Sequence, residues 1–182
     1  MIDRTNGCEG VEAWPIARWA SLGVLILTAI GAACALWRLA VGSAPRVHRL
    51  ADGTLASFAE GTHLMPAHAF PARREVWLGG IALLKVPAER RPMTIRTRLM
   101  RIEVVKPSTL LVTARPRGPG EEVDVLTGEV IVTKSYPSAY RAADDLRAGE
   151  MSMVNRTIDL MERETIGEHS IAKMRVWAKT LR

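Results

Sequence analysis

One run of 19 residues, from Trp19 to Trp37, contains no charged residue and no proline. As an α-helix it would be roughly 28 Å long, close to the thickness of the hydrocarbon core of a bilayer. Trp19 and Trp37 end the run where the two lipid interfaces would lie, and Arg18 and Arg38 flank it. The run therefore predicts a transmembrane helix over residues 19–42, preceded by a short cytoplasmic segment, residues 1–18.

Small residues within this run could allow a second helix to approach closely. Gly23, Gly31 and Ala35 form such a seam, although the glycines are further apart than in the usual close-packing motif. An anchor without specific partners is the simpler interpretation. A cleaved signal peptide is a competing one, but the apolar run exceeds the roughly 7 to 15 residues of a signal core.

Charge and cysteine content constrain the part of the chain beyond the predicted membrane helix. Cys8 and Cys34 are the only cysteines, so that part cannot form an internal disulfide. The net charge of +6 favours contact with anionic lipid headgroups or an acidic protein partner. Nucleic acid is a poor fit, because the basic residues are scattered and no aromatic platform lies among them. The side of the predicted helix that leads to the β domain has one more nearby arginine than the other side. This count favours a cytoplasmic location for the domain after the helix.

After the helix the sequence changes to short alternating apolar runs separated by turn signals. About ten such runs succeed one another, with a turn every 5 to 10 residues, which is typical of an antiparallel β-sandwich or β-roll. The runs on either side of Gly79-Gly80 predict a hairpin, and those on either side of Thr127-Gly128-Glu129 predict another. The fold class predicted for the chain is all-β, with an N-terminal membrane helix and a short C-terminal helix.

The order of these runs resembles the periplasmic domain of the FecR family of transmembrane sensors. Members show an "L-x-DG-(S/T)" strand, an "R-x-V-x-L-x-G-x-A-x-x-x-V" hairpin, an "R-P-F-x-V-x-T" strand, a "V-x-V-L-x-G-x-V-x-V" segment and an "L-x-P-G-E" strand. The counterparts here are residues 50–54, 74–86, 91–97, 123–132 and 146–150. The family's "V-x-G-T-x-F" step is replaced by Val104-Val105-Lys106-Pro107-Ser108-Thr109-Leu110. The resemblance implies a FecR-like β domain over residues 47–150, located in the periplasm.

Full sensors of this family also carry a helical cytoplasmic anti-sigma domain before the membrane helix. Only residues 1–18 occupy that place in this sequence, so we expect a short member without that domain.

The C-terminal extension, residues 151–182, has an apolar periodicity of three to four residues, which predicts an amphipathic helix from about Glu168. Two interpretations of its apolar face are open. The face either caps the β domain or binds a protein partner or a membrane surface. The residues assigned to partner binding in the second case are Lys173, Met174, Trp177 and Leu181.

No arrangement of residues predicts catalysis, a cofactor or a metal site, so the prediction is a protein that is not an enzyme. His63 and His68 are spaced within a predicted turn without cysteine or carboxylate ligands nearby. The acidic segment Glu121-Glu122-x-Asp124 is interpreted as a solvated strand edge that discourages pairing. A sugar-binding module would need an exposed aromatic cluster, and Trp77, the lone tryptophan of the β region, is expected in the core.

The sequence thus predicts a single-pass protein of the inner (cytoplasmic) membrane with a periplasmic β domain. In this hypothesis the domain senses or docks a protein partner, such as a receptor or regulator, in transmembrane signalling. The alternative is a non-catalytic accessory subunit or assembly factor of a larger membrane complex. In both cases the predicted contacts are the lipid bilayer and protein, with no nucleic acid.

Overall fold

A computed structural model of the protein describes residues 46–181, which belong to one compact unit. The predicted N-terminal segment and membrane helix, residues 1–18 and 19–42, lie outside the described residues. Within residues 46–181 the single α-helix is too short and too polar to span a bilayer.

The described chain is mostly β. Its twelve strands are β1 (Arg46–Arg49), β2 (Leu55–Phe58), β3 (His63–Pro66), β4 (Glu75–Val86), β5 (Met93–Arg96), β6 (Met100–Val104), β7 (Ser108–Ala114), β8 (Gly120–Thr127), β9 (Glu129–Lys134), β10 (Ala143–Arg147), β11 (Glu150–Asn155) and β12 (Leu160–Thr165). Helix α1 (Glu168–Ala178) and a 3-10 turn (Lys179–Leu181) come after them. The prediction of a C-terminal helix from Glu168 is confirmed.

The strands form one barrel-like sheet with two halves. Sheet I, as we call the first half, has the order β1-β2-β4-β7-β8-β11-β12, and sheet II has the order β3-β4-β5-β6-β9-β10. The long strand β4 belongs to both halves. The side chains that point inward from the two halves form one apolar core, which includes Val76, Leu84, Ile102, Val112 and Val132.

Glycines lie at two of the places where the chain crosses from one half of the sheet to the other. Strand β4 pairs with β3 up to Gly79 in sheet II and with β7 from Gly80 in sheet I. At Gly128 the chain crosses from sheet I to sheet II, because β8 pairs within sheet I and β9 within sheet II. Gly80 and Gly128 have φ angles of +119° and +93°, which residues with a Cβ rarely adopt.

The two predicted hairpins at these positions are therefore wrong. The residues on either side of Gly79-Gly80 form one continuous strand, and β8 and β9 do not pair with each other. A glycine with positive φ occurs both at a sharp corner within a strand and in a tight turn between strands. A glycine between two apolar runs therefore does not distinguish the two in the sequence.

A hydroxyl group stabilises the backbone at each corner. At the first corner, the amide of Ile81 donates a 3.0 Å hydrogen bond to Thr62 Oγ1. At the second, the amide of Glu129 donates a 3.1 Å hydrogen bond to Ser108 Oγ. Each hydroxyl approaches its glycine so closely that a Cβ at Gly80 or Gly128 would overlap with it.

The sheet differs from the predicted antiparallel β-sandwich or β-roll in one pair of strands. Strands β4 and β5 are parallel, with Glu75 opposite Thr94, whereas the other pairs described in residues 46–181 are antiparallel. The connection, residues 87–92, can span at most about 20 Å. It can return to the start of β4 only because the corner at Gly80 brings the two ends of that strand closer together.

The sheet also extends beyond residue 150, where the predicted β domain ends. Strand β11 pairs with β8, and β12 pairs with β11, so the C-terminal extension contributes two strands before the helix. In β11, the buried residues Ser152 and Val154 alternate with half-buried ones, as expected for a strand that has a neighbour on each side.

Helix α1 covers the outer face of sheet I. Leu83 points to this face, since its neighbours Ala82 and Leu84 point into the core, and it is fully buried. Met174 and Leu181 are buried as well, and Trp177 Nε1 donates a 2.6 Å hydrogen bond to Ser57 Oγ on β2.

We predict that Gly128→Ala lowers the free energy of unfolding by about 3 kcal/mol or more, because left-handed strain is added to steric overlap with Ser108. Gly149→Ala is the matched control: its φ is +89°, but no heavy atom lies within 4 Å of the added Cβ. It should cost only about 1 to 2 kcal/mol. Urea unfolding of the full chain, monitored by circular dichroism, gives both values. Equal losses would mean that the corner tolerates a side chain.

Candidate functional site

The outer face of sheet II is open where β3, β4, β5 and β6 lie side by side. The strand registers place Met65, Trp77, Arg96 and Arg101 in one row across these four strands. Met65 is 64% exposed and Trp77 is 49% exposed. The expectation that Trp77 lies in the core is wrong, because it alternates with the buried Val76 and Leu78 and so points outward.

Beside this row lies a cleft of about 330 Å³ whose charged lining consists mainly of arginines. We call it the arginine cleft. Its exposed or half-exposed cations are Arg73, Arg91, Arg96 and Arg101, and Glu75 lies among them.

Hydrogen bonds hold several of these side chains in place. Glu75 accepts a 2.7 Å hydrogen bond from Arg73 Nε on one carboxylate oxygen and a short one from Arg96 Nε on the other. The Arg96 guanidinium also lies 5.7 Å from the centre of the Trp77 ring, within the range of a cation–π interaction. Arg91 Nη1 donates a 2.9 Å hydrogen bond to the carbonyl of Ala72.

A buried ion pair lies at the base of the cleft. Arg74 and Asp52 are both nearly inaccessible to solvent, and their Nη2 and Oδ2 atoms are 2.8 Å apart. Arg74 Nη1 also donates a 2.6 Å hydrogen bond to the carbonyl of Arg91. Asp52 accepts further hydrogen bonds from the amide and hydroxyl of Thr54. The pair therefore ties the turn between β1 and β2 to the segment that carries Arg91.

The arginine cleft keeps an excess of positive charge. Burial alone would raise the pKa of Glu75, but the hydrogen bond and charge of Arg96, together with Arg73, outweigh it and lower that pKa. Glu75 is thus ionised at neutral pH. At the exposed edge of the cleft, Glu103 Oε2 lies 3.6 Å from Arg101 Nη2. Four arginines face two carboxylates, while the charge of Arg74 is balanced by Asp52.

The N-terminal residues singled out from the sequence lie outside the described residues. They are the predicted membrane anchors Trp19, Trp37 and Arg38 and the predicted packing seam Gly23, Gly31 and Ala35. Their roles stay predictions.

The C-terminal residues assigned to partner binding lie on or next to α1. Met174 and Leu181 are buried, and Trp177 is half-buried with its indole nitrogen bound to Ser57. The apolar face therefore lies against the protein's own β domain, as in the first of the two interpretations. Lys173 is exposed, and a role for it in partner binding stays a prediction.

The two histidines singled out from the sequence lie in and near β3. His63 begins that strand, and His68 lies in the loop after it. In the part of the chain that the structure describes, no three His, Cys, Asp or Glu side chains are grouped to hold a metal ion.

Comparison with known proteins finds similarity at the level of fold. No family model matches the sequence, and no curated protein matches it. Two crystal structures of a "putative anti-sigma factor" from Parabacteroides distasonis ATCC 8503, at 1.65 and 2.50 Å resolution, are similar in structure. Their TM-scores are 0.62 and 0.60, each at 23% sequence identity. The match covers 72% of this chain and 60% or 62% of the other chain, so this chain spans less than two thirds of their length.

Two acidic residues that were predicted to lie on a solvated edge are instead buried in β8, a strand paired on both sides. Glu121 accepts hydrogen bonds from the amide of Leu99, at 2.9 Å, and from the hydroxyl of Thr97. It therefore links sheet I to the turn between β5 and β6 of sheet II. A buried carboxylate can accept several donors, but the sequence does not show where those donors lie.

Asp124 is the second buried acid, and its environment differs. It points to the outer face of sheet I, because Val123 and Val125 point into the core. Burial raises its pKa to about 7, and the charge and hydrogen bonding of Glu122 act in the same direction. Asp124 therefore changes charge within the physiological pH range.

We predict that Asp124→Asn increases the free energy of unfolding at pH 8 and has little effect near pH 4. The folded state binds a proton at Asp124 up to about pH 7, whereas the unfolded chain releases it near 3.8, the ordinary value. Stability is thus lost as the pH rises through this window, by at most about 4 kcal/mol, and the variant removes that loss.

Urea unfolding at several pH values between about 4 and 8 measures this dependence. Asp145→Asn, at an exposed position of β10, is the matched control. If both variants shift stability equally at pH 8, the burial of Asp124 does not control the pH dependence.

Proposed function

We propose that this protein is a membrane-anchored signalling protein whose β domain docks a protein partner on the outer face of sheet II. The observation that carries the proposal is the open row that contains Trp77, Met65 and Arg96 beside the arginine cleft. Trp, Met and Arg are enriched at protein interfaces, and Trp and Arg are among the commonest residues at energetic hot spots. In this proposal the domain is a binding surface and has no catalytic role.

The regulatory part of the proposal draws on two further observations. The crystal structures that share the fold are of a protein described as a "putative anti-sigma factor", which is a regulatory function. The sequence also resembles the periplasmic domain of FecR-type sensors in five segments that occur in the same order. We therefore infer a FecR-like protein whose β domain lies in the periplasm.

Residues 19–42 would provide the route for a signal across the inner membrane. In this proposal Trp19 and Trp37 lie at the two lipid interfaces, with Arg38 beside the second. A second membrane protein packs against the small residues Gly23, Gly31 and Ala35 and receives the signal. Docking on sheet II then changes the position of the anchor or its survival against proteolysis.

We predict that a photo-crosslinking amino acid in place of Met65, in living cells, captures a receptor or regulatory protein. The matched control is the same replacement of Val176, which is 66% exposed but lies on α1, on the other side of the domain. Val176 should give no such product. Equal products from both positions, or none from Met65, would contradict docking on sheet II. Capture of the subunits of one large complex from Met65 would instead support the accessory-subunit alternative.

We also predict that protease added to intact spheroplasts digests the β domain, because the proposal places it outside the inner membrane. A cytoplasmic protein serves as the control for intact cells. Full protection of the β domain would contradict the periplasmic location and, with it, the sensor function.

A further inference from the structure

The arginine cleft has features of a site for a negatively charged partner group. Its exposed cations are all arginines, whose planar guanidinium groups bind carboxylates through two parallel hydrogen bonds. Arg101 has 48% of its side chain exposed, and its contact with Glu103 is long, at 3.6 Å. Its guanidinium can therefore bind another carboxylate at little cost.

The cleft is also held in shape before any partner binds. Arg73 and Arg96 are fixed by the two oxygens of Glu75, and Arg91 is tied through its side chain to Ala72 and through its carbonyl to Arg74. Side chains that are already ordered lose less conformational entropy on binding, so each contact contributes more to affinity.

Apolar surface lies directly beside these cations. Trp77 is opposite Arg96 on one side and Met65 on the other in the paired strands. Side chains on one side of an extended peptide repeat about every 7 Å, as they do on the strands beneath. A peptide that alternates acidic and apolar side chains offers both kinds of group to this face.

We propose that the arginine cleft binds an extended acidic segment of the partner protein, with carboxylates on Arg91 and Arg101 and an apolar side chain beside Trp77. This inference rests on the proposed docking function and specifies the chemistry of the partner. The excess of four arginines over two carboxylates provides the charge complementarity.

An anionic membrane surface fits the same features less well. Lipid headgroups are attracted to clusters of basic charge in general, and flexible lysines serve that purpose as well as arginines. This cleft has no lysine in its lining, and Arg73, Arg91 and Arg96 are held by hydrogen bonds. A single exposed Trp, already in contact with Arg96, also provides no platform for successive nucleic-acid bases.

The test uses the full chain in a mild detergent and a fluorescein-labelled peptide of sequence GSDLDLDGS, with binding measured by fluorescence anisotropy. We expect saturable binding that weakens as NaCl is raised from about 50 to about 300 mM. The double variant Arg91→Gln, Arg101→Gln should bind about tenfold more weakly or worse. Arg117→Gln, at an exposed arginine outside the cleft, should bind like the wild type.

The amide peptide GSNLNLNGS and inorganic phosphate identify what is recognised. Weak binding of both supports an acidic peptide site, whereas binding of phosphate as tight as that of the acidic peptide overturns it in favour of a general anion site. Phosphatidylglycerol vesicles that displace the acidic peptide from the wild type, and that bind the double variant more weakly than the wild type, would likewise assign the cleft to a membrane surface. Circular dichroism of the double variant confirms that it is folded.

The crosslinking experiment separates failure of this inference from failure of the proposed function. If the acidic peptide does not bind but Met65 still captures a regulatory protein, docking on sheet II stands and the partner chemistry is wrong. If Met65 captures nothing while the peptide binds through Arg91 and Arg101, the cleft recognises acidic segments without the proposed signalling role.

Discussion

Two corners in the backbone determine how this domain closes. At Gly80 and Gly128 the chain passes between the two halves of the sheet with φ angles that favour glycine, and a hydroxyl from a neighbouring segment binds the next amide. The first corner bends β4 so that its ends approach, which allows β5 to start beside Glu75. The apolar core can then form between the two halves, since their inner faces are turned toward each other.

Outside the closed core, the sheet has two outer faces, of which one is covered and the other is open. On sheet I, the apolar surface around Leu83 is covered by α1, with Trp177 bound to Ser57. On sheet II, Trp77 and Met65 remain open. The amphipathic pattern of the C-terminal residues is thus explained by contact within the domain. The open face around Trp77 is the surface to which the proposed docking is assigned.

Local sequence patterns predict the elements of this fold better than their pairing. Alternating apolar residues indicate most strands up to residue 150, and a period of three to four indicates α1. The corners have the local sequence of hairpins, because the choice between the two depends on which distant strands pair with β4, β8 and β9. The acidic residues of β8 predict a solvent-exposed strand edge. Glu121 is instead buried and accepts hydrogen bonds from donors in residues 97–99. Asp52 and Arg74 both belong to segments that resemble FecR-type domains, yet their pairing across 22 positions is visible only in the structure.

That buried pair also limits how a signal could pass through the domain. Breaking it would leave a charge without a partner in a place that excludes water, which typically costs about 3 to 5 kcal/mol. Arg74 holds the carbonyl of Arg91, so the arginine cleft is fixed to the turn between β1 and β2. A partner could break the pair only by binding the rearranged domain more tightly than the native one by at least that amount. In the proposed function, a docking signal is therefore better transmitted by moving or shielding the domain as a rigid body than by changing the packing of its sheet.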